Sequence, residues 1–356
     1  MAPLKLRDRD AIVTKEGLVF RVFGYSHPHE SFVCDAEYAS SRIFQSDNPK
    51  ALRTEDGKIF YKFYEDEGWK FIENNFPKYM IPHEMLNTKV VGVKRNDIFD
   101  VKKPDLVLQL LMSKVPKDEL LEAMQEVVKV MLKSSPLHVE DFGVFGSLLH
   151  GFYHPKFSDI DLIIYGRKNL DKLRETVAEL CESDSSGLRN EFQTDRAMAG
   201  KNWQFTNLSP KEYTWHQRRK LIYTLLTSQK SGRTVKTEFE PVKDWKEIKN
   251  EYDSATRIIQ KGWTRLTAKV TDDNDGPFIP SAYAIEPLQV LEGPTSAIEA
   301  KRVISYLEEF RSQVYRGETA EVIGNLEELK TPEGSYMQVA LTYCSRYYEQ
   351  VLKVKN

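Results

Sequence analysis

The chain has 356 residues, 40% of them hydrophobic and 29% charged, with a net charge of −2. That is an ordinary soluble composition with length for two or three domains, and it does not support a generally basic nucleic-acid binder, although a local basic groove remains open. Three distant cysteines (Cys34, Cys181, Cys344), a charged N-terminus and no apolar run near the roughly 18–20 residues of a membrane helix exclude a disulfide framework, a signal peptide and a membrane span, so a reducing cytoplasm is expected.

Residues 1–115 read as an N-terminal α+β domain. Ala11 to Gly24 has the pattern of a hairpin, with a Lys15-Glu16-Gly17 turn and alternating Leu18, Phe20 and Val22. Further strands are expected over Ser31–Tyr38, Lys58–Tyr64 and Lys89–Lys94, and a short helix over Asp66–Asn75. His27 and His29 flank Pro28, which fits a polar turn better than a metal site. Tyr38, Tyr61, Tyr64 and Trp69 fall at spacings that suit cross-strand and core pairs better than base stacking.

Leu106–Lys114 suggests a short helix. Lys117–Lys133 carries the clearest amphipathic pattern of the chain. Leu120, Leu121, Met124, Val127, Val128, Met131 and Leu132 form one apolar stripe opposite charges. Ser134-Ser135-Pro136 ends it.

The stretch from Asp141 to Tyr165 organises the whole chain. It reads as a short apolar strand, a Gly146-Ser147 turn, an irregular segment or short helix, and a second strand carrying Asp159 and Asp161. Side chains two apart on a strand share a face, so the two carboxylates lie side by side while Ile160 and Leu162 face a core. Carboxylates that close repel each other, and a divalent cation relieves the repulsion. Oxygen-only donors at this spacing suit Mg²⁺ or Mn²⁺, which keep waters and share substrate phosphates. A glycine allows close approach to a ligand. The Ser147 hydroxyl and the following backbone N–H groups suit a phosphate. Together these are parts for two-metal phosphoryl or nucleotidyl transfer.

With eleven residues, 148–158, between Ser147 and Asp159, this pattern resembles the signature of the DNA polymerase β-type nucleotidyltransferase superfamily, specifically over Val144–Tyr165. Across the whole chain the resemblance is to archaeal predicted nucleotidyltransferases, which place this domain between an N-terminal domain and a C-terminal β domain. It rests also on Asp159–Gly166, Val270–Asp273, Pro280–Tyr283 and Tyr315–Glu318. The resemblance implies an α+β fold with a central mixed sheet. It also implies an enzyme that moves an NMP from an NTP to a hydroxyl acceptor with release of pyrophosphate; the acceptor is left unidentified, with RNA and protein both open. The alternative is a non-catalytic nucleotide- or RNA-binding protein on the same fold.

After the motif, Asn169 is expected to cap a helix from Leu170 to about Cys181, and residues 182–187 to form a loop. Tyr213–Tyr223 looks helical. Its Arg218 and Arg219 are candidates for phosphate contact, because guanidinium forks match phosphate oxygens. Gly232–Val242 reads as a strand. The resemblance implies a third carboxylate on a strand beside the aspartates, for the second metal and for deprotonating the acceptor. Glu238 and Glu240, which share a face, are the candidates, with Glu238 preferred. The nucleotidyltransferase domain is thus expected over 116–250.

Residues 251–356 read as a small β-barrel-like domain. Its expected strands are Trp263–Val270, Ala282–Ile285, Pro287–Leu291, Glu318–Leu326, Tyr336–Leu341 and Tyr347–Val354, with Val303–Leu307 open between strand and helix. Asp272–Pro277 reads as a turn.

Overall fold

The computed structural model describes residues 4–55, 57–183, 187–228, 230 and 232–355; residues 184–186 of the expected 182–187 loop lie outside the described residues. The fold is α+β, built on three sheets and six α-helices among the described residues. None of those helices is long and apolar enough to cross a membrane.

The N-terminal sheet contains β1 (Ala11–Val13), β2 (Leu18–Val22), β3 (Ser31–Ser40), β4 (Leu52–Glu55), β5 (Lys58–Lys62), β6 (Met80–His83), β7 (Thr88–Lys94) and β8 (Asp100–Lys102). Its main order is β4-β5-β3-β2-β1-β8, with β7 on the first half of β3 and β6 on β7. The expected hairpin is β1–β2, antiparallel with Ile12 opposite Phe20. Leu18, Phe20 and Val22 point into a core shared with Phe32, Ile72 and Tyr79. The helix α1 (Glu67–Asn75) packs beside β3. One irregularity matters later: Val19 pairs with Tyr38 but Phe20 with Ala36, so Glu37 is the extra residue of a β-bulge.

Next come α2 (Pro104–Ser113), α3 (Glu119–Ser134), β9 (Phe142–Val144), α4 (Gly146–His150), β10 (Ile160–Tyr165), α5 (Arg167–Glu182), β11 (Leu188–Asn190), α6 (Pro210–Lys220), β12 (Tyr223–Thr227) and β13 (Thr234–Val242). Asp118 caps α3, its side chain accepting from the N–H groups of Leu120 and Leu121, a cap that contributes about 1 kcal/mol. The stripe Leu120, Leu121, Met124, Val127, Val128 and Met131 is buried as the spacing requires. The central sheet runs β11-β12-β13-β10-β9, mixed, with β13 parallel and β9 antiparallel to β10. Asn169 is not the cap of α5. The helix starts at Arg167, three residues earlier than expected, after Gly166 at φ +89°, and the Asn169 amide instead bonds the Asp141 carboxylate and the Tyr165 carbonyl.

The C-terminal strands are β14 (Arg257–Asp272), β15 (Ser281–Glu292), β16 (Ala300–Ser305), β17 (Thr319–Thr331), β18 (Gly334–Leu341) and β19 (Val351–Val354). Their order is β14-β15-β16-β18-β17-β19, and β14 also pairs with β17, which closes a five-strand ring around a core of Leu266, Tyr283, Val303, Val322 and Val339. The two short strands expected around Pro287 are one strand. Its pairing to β14 shifts register between Thr267 and Ala268, where the bulge accommodates a proline that a regular ladder would reject.

By contacts the chain forms two compact units. One holds Met1–His83, Thr88–Arg189 and Thr224–Tyr252, and the other Glu84–Asn87, Asn190–Tyr223 and Asp253–Asn356. The N-terminal and central sheets share the first unit, and the barrel lies in the second.

Candidate active site

The two halves of the Gly-Ser and Asp-Ile-Asp motif meet at the ends of β9 and β10. Phe142, Val144, Ile160 and Leu162 are fully buried and anchor both strands. The Phe145 N–H donates to the Asp161 carbonyl at 2.8 Å, tying the turn to the second strand. Gly146 follows at φ +59°, and a Cβ there would stand 2.3 Å from Asp161 Oδ2. Only glycine lets the carboxylate lie against the turn. Ser147 is the next residue, in the first turn of α4. Asp159 sits one residue before β10 and is exposed, while Asp161 lies on the strand, largely withdrawn from solvent.

Parallel pairing of β10 with β13 sets Asp161 opposite Glu238 and Ile163 opposite Glu240, so both glutamates lie on the Asp161 face. Glu240 is buried, and an Arg9 guanidinium nitrogen lies 2.7 Å from its Oε2. Burial first, and then the charges of Glu240 and Asp159, push the Asp161 carboxyl up to about 7 against the pull of Lys62 and Lys236. Partial desolvation also raises Asp159, opposed by Lys236 and Arg233.

Such mutual repulsion is what a cation would relieve. No trio of His, Cys, Asp or Glu among the described residues is arranged to enclose a metal by itself. A pair of aspartates beside the Gly146-Ser147 turn nonetheless fits Mg²⁺, which is commonly held by one or two carboxylates, waters and substrate phosphates. The donor set is all oxygen, and the crowding of Asp161 against Gly146 fixes where its carboxylate points.

The sequence did not single out the N-terminal residues that pack against β10 and β13. Arg7, Asp8, Arg9 and Asp10 form a charged run that looks like a solvated terminus, yet each is at most 4% exposed. Arg7 stacks on Tyr165, 3.4 Å above the ring, and pairs with Asp105. Arg9 adopts φ +71° and reaches Glu240. From β3, Tyr38 packs edge-on against His150 and Phe152. Glu37 lies 3.9 Å from His150 Nε2 and 3.8 Å from Arg21 Nε. Burial lowers the buried His150 imidazole below its ordinary range, against the pull of Glu37.

His29 is exposed and bonded to Glu30, whereas His27 is buried and accepts from the Val33 N–H. Arg218 and Arg219 are on α6, in the second unit. Arg219 pairs there with Glu318 and stacks on Trp215 and Tyr315. His216, on the same helix, is buried against the Gln313 carbonyl. Helix α6 starts at Pro210 through a Ser209–Glu212 capping box, a signal the sequence contained.

Comparison with known proteins bears on the same stretch. The chain is 25% identical, over 99% of its length, to the whole of an uncharacterized protein of Methanocaldococcus jannaschii. That relative spans the flanking regions as well as the central sheet, in keeping with the resemblance to archaeal proteins of this layout. No solved structure matches the chain significantly. Residues 124–231, which hold Gly146, Ser147, Asp159 and Asp161 and stop short of Glu238, match the family model of the nucleotidyltransferase domain.

Proposed function

We propose that the protein transfers an NMP from an NTP to a hydroxyl acceptor and releases pyrophosphate. The observation that carries this reading is the meeting of Gly146-Ser147 with Asp161 inside a stretch that matches the nucleotidyltransferase domain. In the reaction the acceptor oxygen bonds to the α-phosphorus, and the bond from that phosphorus to the bridging oxygen breaks. Pyrophosphate carries away the electron pair. Asp159 and Asp161, with a third acid, would hold two Mg²⁺ or Mn²⁺, which when bound neutralise charge on attacking and leaving oxygens.

Each residue has a part set by its place. Gly146 lets the triphosphate approach the backbone, and the Ser147 hydroxyl donates to it. Glu240 is already engaged by Arg9, and a carboxylate held by a guanidinium is a weak base. Glu238, set opposite Asp161 by the strand register, takes the role of third acid and receives the acceptor proton. Arg218 and Arg219 are the weaker candidates for phosphate contact, Arg219 being already paired with Glu318.

The test is incubation with each α-labelled NTP, Mg²⁺ or Mn²⁺, and total cellular RNA and protein, beside an Asp159→Ala/Asp161→Ala double mutant. Label transferred by the wild type and lost in the mutant supports the reading and names the acceptor class. Metal-dependent nucleotide binding without transfer would leave the binding-only alternative.

A further inference from the structure

The face of the N-terminal sheet turned toward α4 and β10 carries cations as well as aromatics. Tyr38 pairs with Lys62 across β3 and β5, and Arg53 pairs with Phe60 across β4 and β5. Cross-strand partners share a face, as do residues two apart, so all four project the same way. That way is the catalytic side, because Tyr38 and Phe60 both pack on Phe152, with ring centroids 5.1 and 4.7 Å away, just after α4. The bulge at Glu37 turns this residue toward the same side, where it meets His150.

Lys62 differs from the other cations here. Arg21 is paired with Asp35 and lies near Glu37, Arg9 is paired with Glu240, and Arg53 donates to the carbonyls of Lys50 and Leu52. Among the described residues the Lys62 ammonium has neither an ion pair nor a hydrogen bond, only the Tyr64 ring at 5.7 Å. It nevertheless acts electrostatically on both Asp161 and Glu37. An ammonium kept on a half-covered wall beside an acidic centre, without a fixed partner, is placed for an anion that arrives with the substrate.

We propose that Lys62, presented by the N-terminal sheet, binds the polyphosphate tail of the nucleotide at the Asp159–Asp161 centre. The inference rests on the nucleotidyltransferase reading for the identity of the ligand, and it makes the N-terminal sheet part of the nucleotide site. A triphosphate is favoured over the phosphodiesters of an acceptor because the face that carries Lys62 packs on Phe152, just after the short helix that opens at Gly146-Ser147. As a point charge with three donors, a lysine suits a phosphate without demanding bidentate geometry.

The test is calorimetric titration of full-length wild type, Lys62→Ala and Lys62→Arg with inorganic tripolyphosphate and, separately, with an NMP and with a single-stranded RNA oligonucleotide, all in Mg²⁺. The proposal predicts at least a tenfold loss of tripolyphosphate affinity in Lys62→Ala, recovery to within about threefold in Lys62→Arg, and NMP affinity unchanged within twofold. Equal tripolyphosphate affinity in wild type and Lys62→Ala would overturn it. So would a loss confined to binding of a single-stranded RNA oligonucleotide, which would move Lys62 to the acceptor side. Thermal melts of both variants check folding, and the charge-preserving Lys62→Arg keeps the test decisive if alanine perturbs the sheet. Binding is read without turnover, so Lys62-dependent affinity in a protein that transfers nothing sustains the inference while the transfer reading fails.

Discussion

Asp161 is the residue on which the site turns, and its environment makes a prediction independent of turnover. Its carboxyl is raised to about 7 in the folded chain by burial and by Glu240 and Asp159. Between the ordinary carboxylate range and about pH 7 the folded state therefore keeps a proton that the unfolded chain has lost. Stability falls as pH climbs through that window, and the penalty, up to roughly 4 kcal/mol, is complete above it. Asp161→Asn removes the charge. In metal-free buffer its melting temperature should exceed that of the wild type by about 5 °C or more at pH 8 and converge toward it at pH 5. An offset that stays constant from pH 5 to 8 would show that the carboxyl is not held in a desolvated, like-charged setting. Much of this was legible at residue scale, since the alternation of Asp159 and Asp161 with Ile160 and Leu162 fixed which side is buried. What was not legible was Arg9, because nothing local distinguishes a buried charged run from a solvated one; its partner is 231 residues away.

At the scale of elements, local signals located most strands and helices and failed where tertiary contacts overrode them. The stripe of α3 and the β1–β2 hairpin follow directly from periodicity. Asn169 looked like a cap because asparagine favours that position. Gly166 at positive φ starts the helix sooner, and the amide serves Asp141 instead. Pro287 looked like a break because a proline cannot donate to a ladder, but a bulge absorbs it. The segment Arg7–Asp10 is an element without regular structure that couples the N-terminus to β13. Arg9→Met would leave the Glu240 carboxylate buried without its guanidinium, at a cost of about 3–5 kcal/mol in urea unfolding. Adding Glu240→Gln should recover part of that loss. A cost below about 1 kcal/mol for Arg9→Met would mean that the pair does not hold the strand in place.

At the scale of the whole molecule, the N-terminal and central sheets belong to one compact unit. Arg9–Glu240, Arg7–Tyr165, the Tyr38–Phe152 contact and the Lys243 N–H on the Tyr25 hydroxyl all cross between them. A fragment of residues 116–250 would expose the buried side of each contact. We expect it to lack a cooperative thermal transition by circular dichroism, whereas a sharp transition would show that the central sheet folds without its N-terminal partner. The barrel, read in the sequence as a run of strands, closes through the second pairing of β14, to β17. That closure depends on pairing between strands far apart in the chain, which alternation alone does not specify.

The most direct measurement of the central claim follows the fate of two phosphorus atoms. The full-length protein is incubated with Mg²⁺, total RNA and protein, and the same NTP labelled at either the α- or the γ-position. Nucleotidyl transfer predicts α-label on the acceptor and γ-label in pyrophosphate, both lost when Asp159 and Asp161 are replaced. Label from the γ-position on the acceptor, or α-label transfer that persists without the two aspartates, would contradict the account.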